Sequence, residues 1–448
     1  MHWPPHGGAR LLLQCLRTSL AWSDMHSTRH LGILLMALSA VACGSKSQLL
    51  VPEPVEDGGV VIFDSGTDSG IDSGLDGGPT PDECIELPFM DPPSELRVSF
   101  VAQIQSAEIF FLVDVTGSMS DEIMQIRDNL RSVIIPGLGD SIPDIRVGVG
   151  HFADFPETAL GYGAEGDEVF RLLQAQTNDL ERVQIAVDDL PLQSGSDTPE
   201  SMVEALYQVA TGEGIGEYVR PRSCGPGLVG YPCFREGEPP IILAFTDAPS
   251  HNGPGGDETY SGIRPTPHTY DQTVTALRAI GAKVLGLNSG DFGETGRAHL
   301  TALARDTGAV RPDGTPLVFD IGRDGRELGP SVIEAVRILV EEVPIDVDVV
   351  LEDFPGDEVD ATGFVQEIVA FSATPADGAV ARGDRFDDVR PGTRVEFRIL
   401  LANDRIPQTD VGQSFFLNVI LRGDGINNLR ETLVQIAIPP RGGGVVCP

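Results

Sequence analysis

From about residue 106 to 343, short apolar runs alternate with amphipathic helical segments, and this alternation limits the possible folds more than any other feature of the chain. The run "AEIFFLVD" leads into the helical "SDEIMQIRDNLRSVI", and "DIRVGVGHFAD" follows as the next strand. Later come "TPESMVEALYQVA" (helix), "PIILAFTDA" (strand), "DQTVTALRAIGA" (helix) and "KVLGLNSG" (strand). "GRAHLTALARDTGA" (helix), "LVFDI" (strand) and "PSVIEAVRILVEE" (helix) complete the series. The strands are near-continuous apolar runs, the pattern of a sheet covered by helices on both faces. Residues 106–343 are therefore expected to form a doubly wound α/β domain with a mostly parallel sheet.

After Pro344 the periodicity changes. "IDVDVVLEDF", "TRVEFRILLAND", "QSFFLNVILRGDG" and "ETLVQIAIPP" alternate apolar and polar residues between Gly, Pro and Asp turns. Residues 344–448 are expected to be a second, all-β sandwich domain. A chain of 448 residues accommodates two such units with extensions.

The N-terminal part carries targeting information. "MHSTRHLGILLMALSAVACGS" has a basic start, an apolar run from Leu31 to Ala42 and then Cys43. A run of about a dozen residues is too short to span a membrane and suits a signal sequence. Its "AVAC" ending resembles a bacterial lipobox, which implies cleavage before Cys43 and lipidation of that thiol. Residues 1–42 are read as an upstream extension and signal peptide, with Met25 the expected initiator. Residues 43–84, with the repetitive "FDSGTDSGIDSGLDGG", lack the apolar content of a core and are read as a disordered, lipid-anchored linker. A flexible tether of about 40 residues reaches roughly 35 Å. The protein is thus expected to be exported and held at the bacterial outer membrane or cell surface by its lipid alone.

The formal net charge is −36, from 67 acidic and 31 basic residues. That excess excludes nucleic acid and anionic headgroups as partners and favours divalent cations. Beyond Cys15 and Cys43, four cysteines remain: Cys84, Cys224, Cys233 and Cys447. An even number in an exported chain reads as disulfides. Cys224 and Cys233 would close a local loop, whereas joining Cys84 to Cys447 requires the two ends of the folded part to meet.

Ligands of open α/β sheets sit beyond the carboxyl ends of the strands. Asp114 ends one such strand in "FFLVDVTGSMSDEI", and Asp247 ends another in "ILAFTDAPSH". Between them, "GSDTPES" presents Asp197, Thr198 and Glu200 ahead of a helix. Carboxylates and hydroxyls without thiol or imidazole partners suit a hard cation, Mg²⁺, Mn²⁺ or Ca²⁺. Asp114, Thr116 and Ser118 stand at alternate positions, so their oxygens can converge. Hydroxyl ligands keep the site's own charge low, leaving the metal able to accept a carboxylate from outside. His251 and His151 are read as packing or hydrogen-bonding residues, and Asp154 as a residue of the binding rim.

Asp114, Thr116, Ser118, Thr198 and Asp247 follow in order the Asp-x-Ser/Thr-x-Ser, Thr and Asp pattern of the metal-ion-dependent adhesion site (MIDAS). The chain thereby resembles von Willebrand factor A (VWA) domains, whose sheet is Rossmann-like. The integrin β-subunit I-like domain is a closer likeness. "DVTGSMSDEI" looks like its Asp-Leu-Ser-Tyr-Ser-Met-x-Asp-Asp segment, which puts Asp121 and Glu122 at an adjacent cation site, with Glu122 replacing an Asp. "SDTPES" is similar to its Leu-Asp-Ser-Pro-Glu, which gives Glu200 a ligand's role. Asp197 matches a residue of a third cation site, but Gly195 stands where that family has an Asn ligand, so the likeness does not carry that site over. In that family the I-like domain is inserted into a β-sandwich hybrid domain. Residues 85–105, with "SELRVSFVAQIQ", would then supply the first strands of the sandwich, and Cys84 would pair with Cys447. The family's cysteine-rich modules are absent.

The resemblance implies a surface-anchored, adhesion-type module that binds a protein ligand through an Asp or Glu carboxylate on the metal. It also implies that an additional Ca²⁺ could sit at Asp121 and Glu122. A structural envelope lipoprotein whose metal only stabilises the fold is the alternative. A metal-assisted hydrolase fits less well: the chain has no Ser-His-Asp order, no Cys/His pair and no second base placed at the rim, so no enzymatic activity is expected.

Overall fold

The computed structural model of the chain describes residues 79–448 apart from 104–105, 141, 239, 291–293, 357, 445 and 448. The signal segment, Cys43 and the Asp/Ser/Gly repeat lie outside the described residues. Two strands come first, β1 (Glu83–Glu86) and β2 (Ser94–Val101). A linker expected to run to residue 84 thus ends earlier, because Glu83 and Cys84 are already paired in a sheet.

The α/β part begins with β3 (Ser106–Asp114) and α1 (Ser120–Asn129). A π-helical turn at Leu130–Ile134 carries the helix on into α2 (Ile135–Gly139), so it runs five residues past its expected end. Next are β4 (Asp144–Phe152), β5 (Arg171–Thr177), α3 (Leu180–Asp188) and α4 (Met202–Thr211). A small hairpin pairs β6 (Leu228–Val229) with β7 (Phe234–Arg235). The series closes with β8 (Pro240–Thr246), α5 (Tyr270–Ala279), β9 (Lys283–Asn288), α6 (Glu294–Asp306), β10 (Val318–Asp320) and α7 (Leu328–Glu341).

These strands form a six-stranded sheet in the order β10-β9-β8-β3-β4-β5. All neighbours run parallel except the edge pair β4 and β5. Alternate residues of β3 point to opposite faces, and each face has its own apolar cluster. Phe111 and Val113 pack with α1 and α7 residues such as Ile126 and Val336. Phe110 and Leu112 pack with α4 and α5 residues such as Leu206 and Leu277. Burial on both faces is why β3 and β8 read as unbroken apolar runs. β5 was not legible as a strand because it is a partly exposed edge carrying Gln174 and Gln176.

After α7 the chain passes through Pro344 into β11 (Ile345–Asp353), then β12 (Val365–Thr374), β13 (Val380–Arg382) and β14 (Arg385–Val389). The last strands are β15 (Arg394–Leu401), β16 (Gln413–Gly423) and β17 (Asn427–Ile438). One sheet has the order β1-β17-β16-β11-β14-β13 and another the order β12-β15-β2. Val98, Phe397 and Ile399 of the smaller sheet share one apolar cluster with Phe386, Leu417 and Ile436 of the larger. Strands from before and after the α/β part therefore lie in the same two sheets. Cys84 on β1 is bonded to Cys447, and Cys224 to Cys233. The β16–β17 turn meets the base of the α/β part, where Asp424 pairs with Lys283 at 2.8 Å and the Asn428 N–H donates to the Gly237 carbonyl at 2.7 Å. No helix among the described residues is long and apolar enough to cross a membrane.

Candidate metal centre

Val113 is in register with Phe245, so Asp114 and Thr246 emerge side by side at the carboxyl ends of β3 and β8. Asp114 is fully buried. Its Oδ1 accepts from the Thr116 N–H at 2.9 Å and the Thr116 hydroxyl at 2.7 Å, and its Oδ2 accepts from the Thr246 hydroxyl at 2.7 Å. Ser118 donates to Asp247 Oδ1 at 3.2 Å, and its Oγ lies 3.4 Å from that of Thr116. Asp114, Thr116, Ser118 and Asp247 thus form one continuous polar cluster across the two strand ends. Gly117 and Ser118 are exposed while the carboxylates beneath are buried, which gives the cluster one side open to solvent.

The loop before α4 supplies Glu200. Its N–H donates to the Pro249 carbonyl at 2.9 Å, and its carbonyl accepts from the His251 N–H at 2.8 Å, pinning this loop to the one after β8. Gly195 has φ of +64°, and a Cβ there would lie 3.1 Å from Glu200 Oε1 and 3.5 Å from Thr116 Cγ2. The Glu200 carboxyl and the Thr116 side chain therefore both border Gly195. A side chain at 195 would be strained as well as crowded.

Among the described residues no Arg or Lys forms an ion pair with Asp114, Glu200 or Asp247. Asp247 Oδ2 and Glu200 Oε2 are buried without hydrogen-bond partners. Burial pushes Asp247 up to about 7, with the Asp114 charge adding to it. Burial likewise pushes Glu200 up to about 12, reinforced by Asp114, Asp154, Asp197 and Asp167. Asp114 is also raised by burial, against the lowering effect of its Thr116 and Thr246 hydrogen bonds. Orphaned carboxylate oxygens in a low-dielectric pocket require protons or a cation. Hydroxyl and carboxylate oxygens with no nitrogen or sulfur among them fit a hard divalent ion.

The other residues singled out in the sequence lie at different positions. Thr198 is exposed, and no described hydrogen bond ties it to the cluster; Pro199 and Glu200 turn inward instead. Asp121 is exposed on the first turn of α1, while Glu122 is buried and close enough to Asp247 to raise its pKa. His151 is buried with its Nε2 3.4 Å from Glu168 Oε2, and burial lowers its pKa to about 4. Asp154 is fully buried, so it is not part of an exposed rim as expected. Its Oδ1 accepts from the Tyr260 hydroxyl and from the Phe155 N–H. Asp154, Asp197 and His251 bring one ligand atom each to within 4.8 Å of one another, a group able to hold a metal.

Three supporting residues were missed in the sequence. Thr246 lies within the quoted "FTDA" but had no assigned role. Asp167 accepts from the Ser194, Gly195 and Ala164 N–H groups at 3.1, 3.0 and 2.6 Å, and so shapes the Glu200 loop. Tyr260 anchors Asp154. For Asp167 and Tyr260 the partners are distant in sequence, and no local pattern announces them.

No protein-family model matches the chain, and no curated protein matches it in sequence. The structure is similar to that of a von Willebrand factor type A protein from Catenulispora acidiphila, with a TM-score of 0.35 and 15% identity, covering 80% of this chain and 72% of that one. It is also similar to the pilus adhesin SpaC from Lactobacillus rhamnosus GG in its open conformation, with a TM-score of 0.32 and 12% identity, over 78% of this chain and 46% of the adhesin.

Proposed function

We propose that this protein is a divalent-cation-dependent protein-binding module of adhesion type. In this reading the α/β part is a VWA domain of integrin β I-like form, and the two all-β sheets are a hybrid-like sandwich into which it is inserted. Asp114, Thr116, Ser118, Asp247 and Glu200 would hold Mg²⁺, Mn²⁺ or Ca²⁺, with Asp121 and Glu122 near an adjacent Ca²⁺. The bound ion supplies an electrophilic position that an Asp or Glu carboxylate of another protein can fill. The single observation that carries this reading is the pair of buried, unpartnered oxygens on Asp247, which Ser118 contacts, and on Glu200, which borders Gly195.

The chain's own residues do the preparatory work. Thr116 and Thr246 fix both oxygens of Asp114, and Ser118 orients Asp247. This leaves the cluster organised before any ion arrives, and a preorganised site binds with less ordering cost. Export, lipidation at Cys43 and attachment to a bacterial surface belong to the same reading, and no catalytic role is assigned. Water-proton relaxation of Mn²⁺-loaded protein tests it. Bound Mn²⁺ should enhance relaxation, and acetate should reduce the enhancement by displacing water. An Asp114→Ala/Asp247→Ala double variant should show no enhancement. Wild-type protein that gives none, or an enhancement that acetate leaves unchanged, refutes the open coordination position.

A further inference from the structure

The outer face of the small β12-β15-β2 sheet gathers positive charge on an otherwise strongly acidic chain. Along β2 and β15 the residues between the buried ones point away from the core, and these include Arg97, Arg394 and Arg398. Arg398 stands directly opposite Arg97 in the antiparallel register, a like-charge pairing that works against the sheet. Arg97 is met by Glu95 and Glu396 at 2.6 and 2.9 Å. Among the described residues no carboxylate pairs with Arg394, Arg398 or Arg430, and Arg398 Nε is buried without a hydrogen-bond partner. Phe371, 42% exposed, lies among them, with the Arg97 and Arg398 guanidinium groups 4.5 and 5.5 Å from its ring centroid.

The chain itself brings a counterpart to this place. β1 runs parallel to β17 with Glu83 opposite Val434. Just before it, the Asp82 N–H donates to the Leu433 carbonyl at 2.8 Å, and Asp82 Oδ2 accepts from the Leu433 N–H at 2.9 Å. Carrying that register back three residues from Asp82 leads to Arg430. Arg430 in turn donates to the Ser99 carbonyl of β2 at 2.9 Å, on the open edge of the small sheet. The segment ahead of Pro79 therefore joins the folded part beside the arginine face. That segment, residues 57–78, contains Asp57, Asp64, Asp68, Asp72 and Asp76, and no Lys or Arg occurs between Lys46 and Arg97. Phe63, Ile71 and Leu75 each stand directly before one of these acids. The repeat thus sets apolar beside anionic groups, as the face sets Phe371 beside its arginines.

We propose that residues 64–76 fold back onto the outer face of the small sheet, their carboxylates meeting Arg394, Arg398 and Arg430 and an apolar side chain of the repeat covering Phe371. Exposed ion pairs are individually weak, but a tethered segment works at an effective concentration on the order of millimolar, so a few suffice. The docking needs neither the metal centre nor a lipid. With the anchor at Cys43 of the proposed function, it would leave about 20 residues slack and cut the tether's reach to roughly 25 Å.

The test attaches a fluorophore to Ser69→Cys in the full chain, with Cys15→Ser and Cys43→Ser removing the other unpaired thiols. In about 10 mM salt the dye's anisotropy should exceed that of a free labelled peptide of residues 57–78. It should fall toward the peptide's value in about 1 M NaCl, where the screening length is roughly 3 Å. Unlabelled peptide at about 10 mM, above the effective concentration of the tethered segment, should displace the dye at low salt. Arg394→Glu/Arg398→Glu should release it as well, with melting curves confirming the fold, and so should Asn at positions 64, 68, 72 and 76 together. Arg278→Glu, at the end of α5 on the α/β part, should not. A low-salt anisotropy equal to the free peptide's overturns the proposal. So does release by Arg278→Glu as readily as by the sheet variant, since overall charge alone would then be at work. A repeat that stays free while the same face binds added heparin overturns it too, by giving the face another occupant.

Discussion

Replacing Asp247 by Asn should stabilise the cation-free protein while abolishing its Mg²⁺ response. The Asp247 carboxyl is 1% exposed, one of its oxygens has no partner, and its pKa is raised from 3.8 to about 7. A raised carboxyl pKa means that the folded state holds the proton more tightly than the unfolded chain. Its contribution is fully present below about pH 4 and is lost as pH rises through about 7. At pH 8 the ionised side chain opposes folding by about 4 kcal/mol, at roughly 1.4 kcal/mol per pKa unit. Asn removes that charge and keeps an acceptor for Ser118, but buries an amide N–H that needs a partner at a cost of about 1–2 kcal/mol. The net expectation at pH 8 in EDTA is a gain of about 2–3 kcal/mol, read as a higher urea midpoint with an unchanged slope. At pH 3.5 the wild-type carboxyl is protonated and the charge penalty is gone, so the variant should be the less stable of the two by the amide's cost of about 1–2 kcal/mol. Adding Mg²⁺ at pH 8 should stabilise the wild type through binding to the folded state and leave the variant unmoved. An Asp247→Asn protein that is less stable than wild type at pH 8 in EDTA would refute the reasoning, since the charge must then already be compensated.

Two further outcomes are expected. The Cys84–Cys447 bond spans 363 residues of sequence, so Cys84→Ser/Cys447→Ser should lower stability by up to about 6 kcal/mol in denaturant titrations, and an unchanged midpoint would contradict the chain-entropy account. Helix α7 runs into β11 through Pro344, and a Cβ at Gly325 just ahead of it would lie 3.1 Å from Glu122 Cα. If α7 couples the metal loops to the β-sheets, a Gly137→Cys/Ile333→Cys bond across α2 and α7 should change affinity for a carboxylate-bearing peptide by roughly five- to a hundredfold and spare Mn²⁺ binding. Equal peptide affinity in locked and reduced forms would make α7 a passive connector.

The parts of the fold legible in the sequence are those where burial is one-sided or complete. β3 and β8 are buried along almost their whole length, so their composition alone marks them, and the carboxylates that end them stand out against it. β12, with only one buried residue among partly buried and exposed ones, and the short β13 gave no comparable pattern. Asp114, Thr116 and Ser118 could be read together because two-residue spacing on a single loop brings them together. Asp247 and Glu200 could be read because each closes or opens a regular element. Thr198 stays exposed while the next two residues, Pro199 and Glu200, are buried, and spacing alone does not tell which residue of this loop faces inward. The Asp154, Asp197 and His251 group comes from three separate loops, and only the folded chain reveals that their lone pairs meet.

The most direct measurement is an anomalous difference map from crystals grown with Mn²⁺, collected on wild type and on Asp247→Ala. The account predicts a peak between the ends of β3 and β8, contacted by Ser118 and Asp247 oxygens and missing in the variant. Well-ordered wild-type crystals with no peak there, or a peak that survives loss of Asp247, would contradict it.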